Sequence, residues 1–222
     1  MREATRSPSF VILYLVVGVL QHCRYLNFRI LLYFCTMNYT VTSKQVTIPA
    51  SELIARYRDV ERIGAFCLQC PGYGKAWNCP PFDFDPRTVS DGFDTATVMG
   101  TTIEFDEPTR AACTTAQQSA AMGHEAMKEV WKDLLPRLYE MERQSPGSRC
   151  FTFRCVLCPE GCTRPEGKPC RHPDMMRHSL ESVGFDIEAM TRDLLGIDLE
   201  WSTDGSLPRH LTLVTALFKK TK

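Results

Sequence analysis

Two proline-punctuated sets of cysteines constrain this chain more than any other feature. The first is Cys67, Cys70 and Cys79 in FCLQCPGYGKAWNCPPF, and the second is Cys155, Cys158, Cys162 and Cys170 in CVLCPEGCTRPEGKPCRHP. Gaps of two or three residues are too tight for scaffold disulfides, yet they let several thiolates converge on one metal centre. The total of eleven cysteines is odd, and so is the clustered seven, which also disfavours a paired disulfide framework. Clustered thiols of this kind suit a reducing cytoplasm.

The second set carries the stronger signal. Its spacings bring the four sulfurs of Cys155, Cys158, Cys162 and Cys170 within reach of one centre, and Pro159 and Gly161 help the loop fold back. Such a wrap suits a [4Fe–4S] cluster and equally satisfies a tetrahedral zinc site with four sulfurs. One continuous staggered run, with Arg164, Lys168 and Arg171 beside it, tips the reading toward iron–sulfur, with zinc as the alternative.

Cys67, Cys70 and Cys79 leave one position of a metal open. A distant residue, a water or a substrate must fill it, and an open position is what distinguishes catalytic metal sites from structural ones. Cys113, Cys150, His124 and His172 are the candidates for a distant fourth ligand. Tyr73, Trp77 and Phe82 would pack over the centre or give the loop a small core of its own. His172 and His178 read as surface or capping residues. The acidic run Asp83, Asp85 and Asp91 reads as a solvated loop rather than a hard-cation site.

The remaining chain supplies a scaffold. Val41 to Ile48 alternates as an edge strand, followed by a helix from Glu52 to Arg62 capped by Ser51. Thr95 to Glu104 is a β-branched central strand. Thr109 to Gln144 reads as one long helix or a kinked pair, capped by Asp106 or Thr109 and bent at Pro136. Arg149 to Arg154 and Arg209 to Lys219 are further strands, with helices predicted at Pro173 to Val183 and Ile187 to Leu195. The order predicts an α+β fold, a small mixed or antiparallel sheet packed with helices and carrying two cysteine-rich metal-binding loops.

Residues 1–36 differ in texture from the rest. The apolar run Phe10 to Leu20 is eleven residues long, short of the roughly 20 that span a bilayer. A span over residues 10–34 would bury Arg24 and Arg29 at about 2.5–3.5 kcal/mol each. No small-residue cleavage site follows. A misplaced start before Met37 is the preferred reading, a membrane anchor the second and a secretory signal the last. The domain proper is then 37–222, cytoplasmic unless residues 10–34 are translated and inserted as an anchor.

Lys and Arg number 26, matched by 26 Asp and Glu, so no phosphate-tracking surface and no nucleic-acid partner is expected. No nucleophile elbow, His-Glu-x-x-His or dinucleotide fingerprint is present. The motifs CLQCPGYGKAWNCPP and CVLCPEGCTRPEGKPCRHPDMMRHSLESVGFDI resemble domain-of-unknown-function family 2284, described as predicted metal-binding proteins of bacteria and archaea. The resemblance runs from about Met37 to the C-terminus. It implies that the seven clustered cysteines are the metal ligands, and it brings no reaction with it. An iron–sulfur protein with a redox or electron-transfer role and a redox partner protein is therefore expected. A structural zinc module for protein interaction, or a metalloenzyme with an open three-cysteine site, is the alternative.

Overall fold

The computed structural model describes residues 37–202 and 204–221. The leader assigned to residues 1–36, with Cys23 and Cys35, lies outside the described residues. Four strands form one antiparallel sheet: β1 (Tyr39–Pro49), β2 (Thr95–Phe105), β3 (Arg149–Phe151) and β4 (His210–Lys219). Their spatial order is β1-β2-β4-β3. The fold is α+β as expected, and the sheet is antiparallel throughout.

Side-chain alternation along these strands makes two cores. Ala96, Val98, Val214, Ala216, Phe218 and Phe151 point to one face. Met99, Ile103, Phe105, Leu213, Leu217 and Cys150 point to the other. The first face is covered by helix α1 (Ala50–Tyr57) and the segment running through Leu180, Phe185, Met190 and Ile197. The second is covered by the longest helix, α4 (Ala116–Arg143), through Met122, Ala126, Trp131, Leu135 and Leu138. Gly100 sits at a close approach in this sandwich: a Cβ there would lie 2.9 Å from both Ile197 Cδ1 and Leu195 Cδ1. β1 is the exposed edge, and its Thr, Ser, Lys and Gln side chains suit that position.

Several expected helices are divided or replaced. The helix expected from Glu52 to Arg62 breaks after Tyr57, and α2 (Val60–Gln69) begins anew. At the break, Asp59 N–H donates to Gly184 O and Asp186 N–H to Tyr57 O, each at 2.8 Å. The Asp59 carboxylate then caps α2 by accepting from Arg62 N–H. Ser51 caps nothing, because α1 starts at Ala50 behind Pro49.

The long helix is also a pair, divided at Cys113–Thr115. Asp106 caps α3 (Glu107–Ala112). Thr115 caps α4, with the Gln118 side chain reaching back to accept from Thr114 N–H. α4 runs on through Pro136. No helix covers Pro173–Val183. Thr152 donates through its N–H to His178 O (2.9 Å) and through its hydroxyl to Arg177 O (3.2 Å). Those two bonds hold the segment extended and also end β3 at Phe151. A 3₁₀ turn, Glu181–Val183, follows it. Ile187–Leu195 is helical, as α5 (Ile187–Met190) and one turn of π-helix. Among the described residues, no helix is long and apolar enough to cross a membrane.

Candidate metal centre

The first cysteine loop grows out of the end of α2. Cys67 lies in its last turn, and Cys70 N–H closes that turn on Cys67 O at 3.1 Å. Gly74, at φ +71°, turns its N–H to Pro80 O (2.9 Å) and closes the loop upon itself. Cys79 N–H bonds to Ala76 O, and Gly72 N–H points at Cys70 Sγ from 3.4 Å. Cys70 is exposed, while Cys67 and Cys79 are half-buried.

The three thiols share one electrostatic neighbourhood. Burial raises the Cys67 pKa, and the charges of Glu181 and Cys70 raise it further. Burial pushes Cys79 up to about 11, with Cys70, Cys67 and Glu181 adding to the rise and Arg164 opposing it. The neighbouring charges of Cys70 and Glu181 disfavour ionisation of Cys67 and Cys79, and a bound cation would relieve that cost. That donor chemistry fits a metal centre.

The second loop follows β3. Gly161, at φ +99°, donates its N–H to Cys158 O, and the buried Thr163 hydroxyl donates to Pro169 O at 2.8 Å. The Cys155 thiol pKa is raised chiefly by burial. A hydrogen bond from the Leu157 backbone opposes the rise, and Cys162, Cys170 and Cys158 add to it. The other three sulfurs of the set therefore act on that of Cys155. Arg171 donates to Gly161 O at 2.8 Å and pairs with Glu160 at 3.0 Å, and its charge is felt at Cys158. A cleft of about 680 Å³ separates this loop from α4; His124, Lys128 and Trp131 line one wall, and Phe153, Cys155 and Cys158 the other.

The two loops are fastened together. The Arg164 guanidinium, from the second, donates to the carbonyls of Ala76, Cys79 and Pro81 in the first. It also sits 5.0 Å from the centroid of the Trp77 ring. Trp77 Nε1 donates in turn to Thr163 Oγ1 (3.3 Å) and Lys168 O (3.2 Å). Arg164 and Lys168, expected to balance cluster charge, thus contribute to the joint between the loops.

Three of the four distant candidates lie elsewhere. Cys150 is buried on β3 among the residues packed against α4, and its N–H donates to Glu142 Oε2 at 2.7 Å. Burial and Glu142 raise its thiol pKa, as expected of an inert core residue. Cys113 packs at the edge of that same core, and His124 faces the second loop rather than the first. His172 caps a turn through its carbonyl, which accepts from Met175 and Met176. His178 is no surface residue: it is 4% exposed, edge-on to Phe82 and Phe84. Asp85 and Asp91 are ion-paired to Arg87 and Arg58, in keeping with a solvated loop. Sequence reasoning missed Glu181, because nothing in its spacing relates it to the cysteines.

The nine cysteines among the described residues are all free. Among those residues, no group of three or more His, Cys, Asp or Glu stands in a geometry that could hold a metal ion. The two sets are thus gathered as neighbourhoods and are not closed as coordination shells. Neither a curated protein nor a solved structure matches the chain. A family model described as "Predicted metal-binding protein (DUF2284)" does match, over residues 48–218. That span contains both cysteine loops, β2, β3 and all but the last residue of β4, and the chain belongs to this family of predicted metal-binding proteins.

Proposed function

We propose that the protein is an iron–sulfur protein with a redox or electron-transfer role. In this reading Cys155, Cys158, Cys162 and Cys170 hold a [4Fe–4S] cluster, and Cys67, Cys70 and Cys79 bind a second metal centre. The observation that carries the reading is the surroundings of the four-cysteine loop. The sulfurs of Cys158, Cys162 and Cys170 act on that of Cys155, the Arg171 guanidinium is anchored in the loop by Gly161 O and Glu160, and Trp131 and Phe153 line the cleft beside them.

When bound, a cluster supplies one-electron transfer at a potential set by charge, hydrogen bonds and solvent exposure. The chain's own residues govern those three quantities. Arg171 lends a positive charge felt at Cys158, which eases addition of an electron. Trp131 and Phe153 give the cleft beside Cys155 an apolar wall. The cleft beside the loop leaves one side approachable by a redox partner protein. Arg164 and Trp77 fasten the two loops, so the two centres would be held as one rigid unit. A reducing cytoplasm is the compartment that keeps these thiols available.

The test is reduction of the anaerobically purified full chain. Broad visible absorbance that dithionite bleaches, with a half-integer-spin paramagnetic signal in the reduced protein, supports the proposal. A colourless preparation with stoichiometric zinc and no such signal refutes it and leaves a structural zinc module.

A further inference from the structure

Glu181 opens the 3₁₀ turn Glu181–Val183, which packs against α2 where that helix delivers Cys67. Its backbone carbonyl oxygen lies 3.9 Å from Cys67 Sγ. Its Oε2 is sealed from solvent and has no hydrogen-bond partner among the described residues. The charge of the carboxylate raises the thiol pKa of both Cys67 and Cys79. A carboxylate oxygen enclosed without a donor is costly, and it is tolerated where a cation completes it.

The three-cysteine set lacks one donor, and carboxylate oxygen is an established ligand alongside sulfur and nitrogen. Three of the four alternatives named from sequence are placed elsewhere: Cys150 and Cys113 in the core against α4, and His124 on the second cleft. We propose that Glu181 is the fourth protein donor of the Cys67–Cys70–Cys79 centre, binding the metal through Oε2. The centre is then a Cys₃Glu site closed by the chain itself, distinct in kind from the four-sulfur site of the second loop. This rests on the reading that the first cysteine set holds a metal.

Cobalt(II) tests it, added to the reduced, metal-free full chain and competed with a chelator. Wild type should take up one more cobalt than a Cys67→Ser/Cys79→Ser chain and show thiolate-to-cobalt charge transfer at that site. Glu181→Gln should keep that charge transfer but release the cobalt at least ~10-fold more readily, with altered ligand-field bands, and Glu181→Asp should fall between. The thermal midpoint of metal-free Glu181→Gln should equal or exceed that of wild type, because an amide replaces an enclosed acid. Unchanged cobalt affinity and bands in folded Glu181→Gln overturn the role of Glu181 alone. A lowered metal-free midpoint also counts against it, since Glu181 would then serve the fold. Equal cobalt uptake by wild type and the double-serine chain overturns the three-cysteine centre itself.

Discussion

Lowering the pH from 8 to 5 should cost the metal-free folded chain about 2 kcal/mol through His178 alone. The imidazole is 4% exposed, with Phe82 and Phe84 ring centroids 5.0 Å and 5.8 Å away. Its Nδ1 lies 3.4 Å from the Asn78 carbonyl oxygen. Burial brings its pKa from the ordinary 6.5 down to about 4; the Asn78 carbonyl opposes that fall, and the cations of Arg149 and Arg177 reinforce it. The unfolded chain therefore binds a proton near pH 6.5 that native His178 refuses until about pH 4. Stability is fully present above the unfolded value and is lost as pH falls toward the native one. At about 1.4 kcal/mol per pH unit of separation the full loss approaches ~3 kcal/mol, of which some two-thirds has accrued by pH 5. Urea unfolding of wild type and His178→Gln at both pH values isolates the effect, because titrations common to both chains cancel in the difference. Equal pH dependence in the two proteins would refute the burial argument.

Two further perturbations test the scaffold around the loops. Gly184→Ala should destabilise the chain by more than about 2 kcal/mol in urea unfolding. Gly184 has φ +93°, and its new Cβ would meet Val60 Cα at 2.7 Å; an unchanged unfolding midpoint would contradict the tight approach of α2. Arg164→Ala should cost about 2 kcal/mol, since it withdraws a charged donor from three carbonyls. It should also speed thiol labelling of Cys79, and Arg164→Lys should recover little because an ammonium cannot span all three.

The strands were legible because their alternation maps directly onto two packed faces: Val98 and Met99 part company on β2 as Val214 and Leu213 do on β4. The helix boundaries were less legible, because tertiary pairing decides them. The break at Asp59 depends on Gly184 and Asp186, more than a hundred residues away. The extended stretch that replaces a helix at Arg177–His178 depends on Thr152. At the site, tight cysteine spacing announced both loops, since nearby thiols must share surroundings however the rest folds. Glu181 and the Arg164–Trp77 joint were invisible, for each contact links residues that only the three-dimensional arrangement brings together.

Metal and acid-labile sulfide analysis of the full chain, purified without oxygen, tests the central claim most directly. The account predicts iron and sulfide together in wild type, and loss of the sulfide-bearing cluster in Cys158→Ser while that chain still folds. Zinc without sulfide in wild type, or iron and sulfide unchanged in Cys158→Ser, would contradict it.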